Sequence, residues 1–245
     1  MQQYRADLHI HTLLSPCGDL EMSPANIVEA AVQKKIDILG ITDHNSTKHA
    51  LLIQKMAAEK GIFTLCGAEV TTREEVHCLA FFENVDTLAQ FQQYLDEHIA
   101  KVKNNPKYFG HQVVVDEEEM IVEEVEHLLI SALDQSLEQI QRKVHELDGL
   151  FIPAHIDRPK YSLTSQLGFV PPDIKADALE ISRHTSKEEV LKKFPYLEAF
   201  TFTSSSDAHF PADIGTKVCL FEIEALSFKE IKMALRGEDG RKVSF

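Results

Sequence analysis

Short apolar runs alternate along the chain with stretches whose apolar positions recur every three or four residues. The runs at 4–10, 36–41, 62–70, 76–82, 150–154, 178–181, 200–203 and 217–223 predict strands. Several are β-branched and apolar on both faces, as strands buried in a parallel sheet are. Ser23-Pro24 predicts an N-cap with proline in the first turn, opening a helix through Lys34. Residues 47–60 predict a second helix, stopped at Gly61. Val85, Leu88, Phe91, Leu95, Ile99 and Val102 step by three or four, as do Leu133, Leu137, Ile140, Val144 and Leu147. Each set predicts an amphipathic helix with one buried stripe. Between them, 104–115 reads as an irregular excursion. The acidic segment 116–127 (DEEEMIVEEVEH) reads as a solvated helix face, apolar at Ile121, Val122, Val125 and Leu128.

Repeated strand–helix units predict an α/β fold with a mostly parallel sheet and helices outside it. Periodicity does not choose between a closed barrel and an open sheet. No Gly/Pro/Ser-rich linker divides the chain, so residues 1–245 are expected to form one domain with a helical insertion at about 84–148.

Composition then removes some classes. Lys plus Arg is 25 against 39 Asp plus Glu, a formal charge of −14. That balance argues against electrostatic wrapping of duplex nucleic acid, so no duplex partner is expected. No apolar run approaches the ~18–20 residues of a membrane span. The start, MQQYRADLHIHT, lacks the basic and apolar regions of a secretion signal. The expectation is a cytoplasmic chain without a membrane partner; its oligomeric state is left open. Cys66, Cys78 and Cys219 read as buried core residues, while Cys17 sits in a polar loop beside Pro16 and Gly18.

The chemistry lies in where His, Asp and Glu fall. Strand 4–10 runs into Asp7-Leu8-His9-Ile10-His11-Thr12, and period-two alternation sends His9 and His11 to one side. Two imidazoles on one face can chelate a divalent ion. Strand 36–41 ends at Asp43-His44-Asn45 and 62–70 at Glu69; 76–82 begins with His77. Strand 150–154 ends at His155, and 200–203 runs into Asp207-Ala208-His209. Five of these six groups lie at C-terminal strand ends, the rim from which α/β barrels draw catalytic residues. Nitrogen and carboxylate donors suit Mn, Fe or Zn, and their number points to two or three ions. Paired ions suit hydrolysis.

DLHIHT (7–12), GITDHN (40–45), GAEV (67–70) with His77, IPAHIDR (152–158) and SSDAH (205–209) together resemble the PHP family, the polymerase and histidinol phosphatase domain. The resemblance implies a distorted (β/α)7 TIM-like barrel and a two- or three-metal site hydrolysing phosphoesters through a metal-activated hydroxide. By position, His9 and His11 would hold a first ion with Glu69 and Asp207. Glu69 would bridge to a second ion on His77 and His155, and His44 and His209 would hold a third. After HxH the family carries Asp or His where this chain has Pro16 or Cys17, so Cys17 or Asp19 is the candidate remaining ligand. Asp43 would orient a neighbour rather than ligate. Arg158 stands where the family places an Arg; it reads as a phosphate anchor or as a salt bridge holding its loop. Arg183, Lys48 and Lys160 are secondary anchors, and His111 is a loop residue or a substrate contact. His49, His98, His127, His145 and His184 read as surface or core histidines.

The function these residues imply is a metal-dependent phosphoesterase acting on a small phosphomonoester or nucleotide phosphoester. Two alternatives remain: an amidohydrolase-like metal hydrolase of C–N or ester bonds, and a non-catalytic metal-binding regulatory domain.

Overall fold

All eight expected strands form in the computed structural model, which describes residues 1–245, and their ends move by no more than two residues. The chain runs β1 (Gln2–Ile10), α1 (Pro24–Gln33), β2 (Ile38–Ile41), α2 (Ala50–Ala58), β3 (Phe63–Thr71), β4 (His77–Phe82), α3 (Val85–His98), α4 (Pro106–Phe109), β5 (Val113–Val115) and β6 (Ile121–Glu124). It continues with α5 (Leu137–Glu146), β7 (Leu150–Pro153), α6 (Leu163–Gln166), β8 (Leu179–Glu180), α7 (Lys187–Lys193), β9 (Phe202–Thr203), β10 (Cys219–Ile223), α8 (Phe228–Arg236) and β11 (Lys242–Ser244). Ser23 caps α1 by accepting from Asn26 N–H, with Pro24 behind it, as its sequence predicts.

One seven-stranded sheet has the order β11-β10-β1-β2-β3-β4-β7. The expectation of a mostly parallel sheet needs correction. Only β1–β2 and β2–β3 pair parallel; β3–β4, β4–β7, β1–β10 and β10–β11 are antiparallel. The short loop Thr72–Val76 between β3 and β4 has no room for a crossover helix, so β4 must return antiparallel. The parallel pair β8–β9 forms a separate ribbon. It leans on β7 through Asp177 N–H to Phe151 O (2.9 Å) and Ile156 N–H to Glu180 O (2.9 Å). Beyond β9, His11 N–H donates to Ala208 O (3.0 Å), bringing that end of the ribbon to the end of β1. The α/β class stands, and the sheet is a curled half-barrel.

The reversal of β4 matters for function. His77, its first residue, pairs with Thr71, the last of β3. The one candidate placed at a strand start therefore lies at the same rim as the candidates at strand ends.

Two large apolar clusters fill the fold, and a small third joins Leu13 to Val113 and Val115. Ala6, Leu8, Ile38, Leu65, Leu79, Phe81 and the stripe of α8 belong to one, and Ile10, Leu39, Ile41 and the stripes of α1, α2, α3 and α5 to the other. Strict alternation would put Leu8 and Ile10 together. A register shift between Asp7 and Ile10 separates them and re-aims the strand end that carries His9 and His11. Gly40 permits the close approach of β2 here, because a Cβ would sit 2.3 Å from Leu8 O.

The segment 84–148 is mixed rather than purely helical. Residues 116–127 do not form a helix: β6 pairs antiparallel with β5. Val113-Val114-Val115 and Ile121-Val122 are β-branched runs that suit a ribbon. Ile121 and Val122 are 66% and 61% exposed, Leu128 is half-buried, and only Val125 of the four expected apolar positions is buried. Val85 and Val102 are likewise exposed and lie outside the stripe of α3. Leu133 is buried ahead of α5, whose start is set by the Ser136/Gln139 capping box. No helix is long and apolar enough to cross a membrane.

Candidate metal centre

Glu69, near the end of β3, is the hub of the rim, and five imidazoles surround it. His9 Nε2, His77 Nδ1 and His155 Nε2 lie 3.3, 2.9 and 3.1 Å from Glu69 Oε1. His11 Nε2 and His44 Nδ1 lie 3.3 and 3.1 Å from Oε2. Asp207 Oδ1 closes one side at 3.5 Å from both His9 Nε2 and His11 Nε2. Those two nitrogens are only 3.2 Å apart. Asp207 and His155 hold left-handed backbone conformations (φ 52° and 31°), uncommon for these residues.

A second group forms toward solvent. Cys17, His209, His11 and His44 bring their donor atoms within 4.8 Å of one another. His209 Nε2 is 3.1 Å from Cys17 Sγ. Gly18 lets the loop fold this tightly, since a Cβ there would meet Thr12 O at 2.2 Å. Asp19 is not brought into the cluster; its Oδ1 accepts from Glu21 N–H in its own turn. His44 sits between the groups, facing Glu69 as well as the Cys17 side.

A layer of hydrogen bonds behind the cluster aims the rings. Glu180 Oε2 accepts from His9 Nδ1 (2.9 Å) and from His155 N–H (3.1 Å). Asp43 does not enter the cluster. Its Oδ1 accepts from Thr12 N–H (2.8 Å) and the Ser15 hydroxyl (2.6 Å), and Ser15 Oγ faces His11 Nδ1 at 3.0 Å. The Tyr161 ring stacks on His77, centroids 4.8 Å apart. These contacts turn Nε2 of both His9 and His11 toward the shared carboxylates.

The electrostatics follow from burial against this charge. Burial alone would raise Glu69, but His77, His9 and His44 hold it well below its ordinary value. Asp207 is held well below its own by His9 and His11 despite burial. Burial opposes charge on His11, yet hydrogen bonds to Asp207 and Glu69 lift its pKa to about 9. His9 rises well above its ordinary value for similar reasons, through Glu180, Glu69 and Asp207. Desolvation pulls His44 well below, and takes His209 to about 4. Water exclusion around the sulfur and the carboxylates of Glu69, Asp207 and Asp43 push the Cys17 thiol up. A thiolate there needs a cation beside it.

Arg158 forms a tight ion pair with Asp207, and its side chain is 47% exposed. It lines a cleft of about 330 Å³ over the rim, together with Arg183, Ser206 and Phe210. Arg183 also reaches Ser206 O and Asp213. Lys48 is turned instead to Glu123 on the β5–β6 hairpin, where His111 pairs with Glu124. Lys160 is exposed. Sequence reading missed Glu180, although it ends an expected strand and the rim rule applied to the other carboxylates would have found it. It also left His49 as an ordinary histidine; the side chain is fully buried and hydrogen-bonded at both ring nitrogens.

This fold and rim define a chain whose clustered histidines and carboxylates could hold metal ions. The PHP domain model matches residues 7–190, and the chain belongs to the PHP domain family. Uncharacterized protein YqxK of Bacillus subtilis is 26% identical over 274 aligned positions, covering 99% of this chain and 64% of that protein. The lesion-specific endonuclease Q of Pyrococcus furiosus superposes with a TM-score of 0.74 at 23% identity, over 99% of this chain and 58% of that one. A metal-dependent phosphoesterase assigned from Bifidobacterium adolescentis superposes at 0.64 with 17% identity, over 87% and 91% of the two chains. The chain thus spans less than two thirds of YqxK and of endonuclease Q. A further endonuclease Q structure, similar at TM-score 0.66 and 22% identity over 98% of this chain and 58% of that one, holds a 27-mer duplex with an abasic lesion at its active site. The expectation that excluded duplex nucleic acid is therefore corrected: a protein of this fold holds a duplex. Net charge sums the whole surface, whereas strand binding needs only local positive charge, which bound cations can also supply.

Proposed function

We propose that the chain hydrolyses phosphoester bonds with two or three divalent ions, Mn, Fe or Zn, held by the rim residues. The observation that carries this reading is the spacing around Glu69. Ligands about 2.1 Å from a tetrahedral ion lie about 3.4 Å from each other. His9 Nε2 and His11 Nε2 stand 3.2 Å from each other, 3.3 Å each from one oxygen of Glu69 and 3.5 Å each from Asp207 Oδ1. Nδ1 of His44 is buried without a hydrogen-bond partner, which suits a lone pair turned to a cation. In this reading His9, His11, Glu69 and Asp207 hold one ion, and His77 and His155 hold another with Glu69 between. Cys17, His44 and His209 hold a third. The sulfur favours Zn or Fe at that position.

When bound, the ions supply Lewis acidity toward a water and toward the phosphoryl oxygens. The protein supplies the rest. Asp207 and His209 edge the open side of the rim, next to the reacting phosphate. Arg158, once released from Asp207, would meet the phosphate with its planar fork. Asp43 holds the Thr12–Ser15 loop. Glu180 holds His9 in the tautomer that leaves Nε2 free to ligate. The substrate proposed is a nucleotide phosphoester, one within a strand included. We treat residues 84–148 as an insertion into a single domain spanning 1–245.

The test is a metal-reconstituted protein offered nucleotides, an abasic-site duplex, phosphodiesters, amides and lactones. Phosphate-ester cleavage that disappears in both His9→Ala and Asp207→Ala is expected. Full activity in either variant sinks the reading, and turnover of amides or lactones alone transfers the site to the amidohydrolase alternative.

A further inference from the structure

We propose that His49 is a positioning residue that locks the β5–β6 hairpin to the loop holding His11, so that the state of the insertion is felt at the rim. The proposal rests on the reading of His11 as a metal ligand. It starts from a hydrogen-bond chain whose protons can all be placed. Val115 N–H donates to His49 Nε2 at 3.0 Å. A backbone amide can only donate, so Nε2 carries the lone pair and Nδ1 the proton. That proton goes to Thr12 Oγ1 at 2.7 Å. The Thr12 hydroxyl donates to Asp43 Oδ2 at 2.8 Å, and the Ser15 hydroxyl to Asp43 Oδ1 at 2.6 Å. With its proton spent, Ser15 Oγ accepts from His44 N–H at 3.1 Å and from His11 Nδ1 at 3.0 Å. One connected path therefore runs from a hairpin amide to two rim histidines.

Three features separate this path from ordinary core satisfaction. His49, Thr12, Ser15 and Asp43 are all buried at 1% exposure or less, so water does not compete for their bonds. The donor comes from a place where the hairpin ladder shifts register, between Val114 and Val115, which leaves Val115 N–H to leave the ribbon. The other side-chain ties from the α2 region to the hairpin, Lys48–Glu123 and Lys55–Glu117, are ion pairs at the surface that end nowhere near the rim. Leu13 of the Thr12–Ser15 loop also packs against Val113 and Val115, but the hydrogen-bonded join from the hairpin to that loop runs through His49.

The test cuts the path at each end. His49→Asn keeps an amide near the Nδ1 position for Thr12 and loses the Val115 acceptor; His49→Gln keeps an acceptor near the Nε2 position and loses the Thr12 donor. Co(II) binding to each is read by its visible absorption, and the ring nitrogens of His11 are read by ¹⁵N NMR on zinc-loaded protein. Both variants are expected to bind Co(II) about tenfold more weakly, with shifted His11 signals. In His49→Asn the Val115 amide is also expected to exchange faster. An Asn variant that exchanges Val115 faster yet keeps wild-type Co(II) affinity and His11 signals overturns the proposal. Should neither variant fold, the wild-type spectrum decides: His49 must be the neutral Nδ1–H tautomer, and an Nε2–H tautomer overturns the path. That spectrum is independent of metal, whereas failure of the wild type to bind Co(II) would instead sink the ligand reading.

Discussion

The rim has two halves that are built differently. The inner half gathers His9, His11, His44, His77 and His155 around Glu69, all on or next to strand ends and at most 4% exposed. The outer half, Cys17, Arg158, Asp207 and His209, sits on loops open to solvent or only partly covered. Strand register fixes the inner donors before any ligand arrives, the preorganisation that an electrostatic site needs. The outer residues have room to shift, and in the proposed reading Arg158 exchanges its Asp207 partner for the phosphate. The molecule thus keeps its buried charge on strand ends and its exposed charge on loops.

The largest effect should come from the hub. Glu69→Gln removes the charge that five imidazoles face. It is expected to lose bound metal and about 10³-fold or more of the activity. Elemental analysis alongside kcat checks this, and a variant that keeps its full metal content would show that the inner half is not organised by Glu69. On the outer half, Arg158→Ala should lower kcat/KM by about 10²-fold while metal content stays constant. Arg158→Lys should recover only part of that, because an ammonium lacks the planar fork. A metal loss in either variant would place Arg158 with the inner half instead. Next is the outermost ion. Cys17→Ala should weaken its binding roughly tenfold and Asp19→Ala should not; equal behaviour of the two would remove Cys17 from the ligand set.

The smallest effect is on pH. In the metal-free protein His11 is raised to about 9, so its contribution to stability is complete below its ordinary 6.5 and is lost as the pH climbs toward 9. His44, His77 and His209 are lowered by burial. Below 6.5 the unfolded chain takes up protons that these three refuse, so stability falls on the acid side as well. At still lower pH the depressed Glu69 and Asp207 add to that fall, because their contributions exist only while they are ionised. Metal-free thermal stability should therefore peak near about pH 6.5. Binding of ions at pH 7 should release at least about one proton per chain, measurable by calorimetry in buffers of different ionisation heat. A flat profile with no proton release would mean that the inner histidines are not charged before metal arrives.

The sequence alone determined what is local. Alternation and capping placed the strands and α1, because each depends on residues within a few positions. The motifs around His9, His44, Glu69, His155 and Asp207 were legible for the same reason: each ends a strand, and a strand end is a short-range feature. Cys17 stood out in its loop, where the structure brings it to His209. What the tertiary structure decided depends on distant partners. The direction of β4 turned His77 from a strand start into a rim residue. The acidic segment became a ribbon because β5 was there to pair with it. Glu180 acts on His9 from 171 residues away, and Val115 finds His49 from 66. A hydrogen bond between groups so far apart leaves no period or spacing in the chain, so only the fold could assign the carboxylate or amide that each imidazole nitrogen faces.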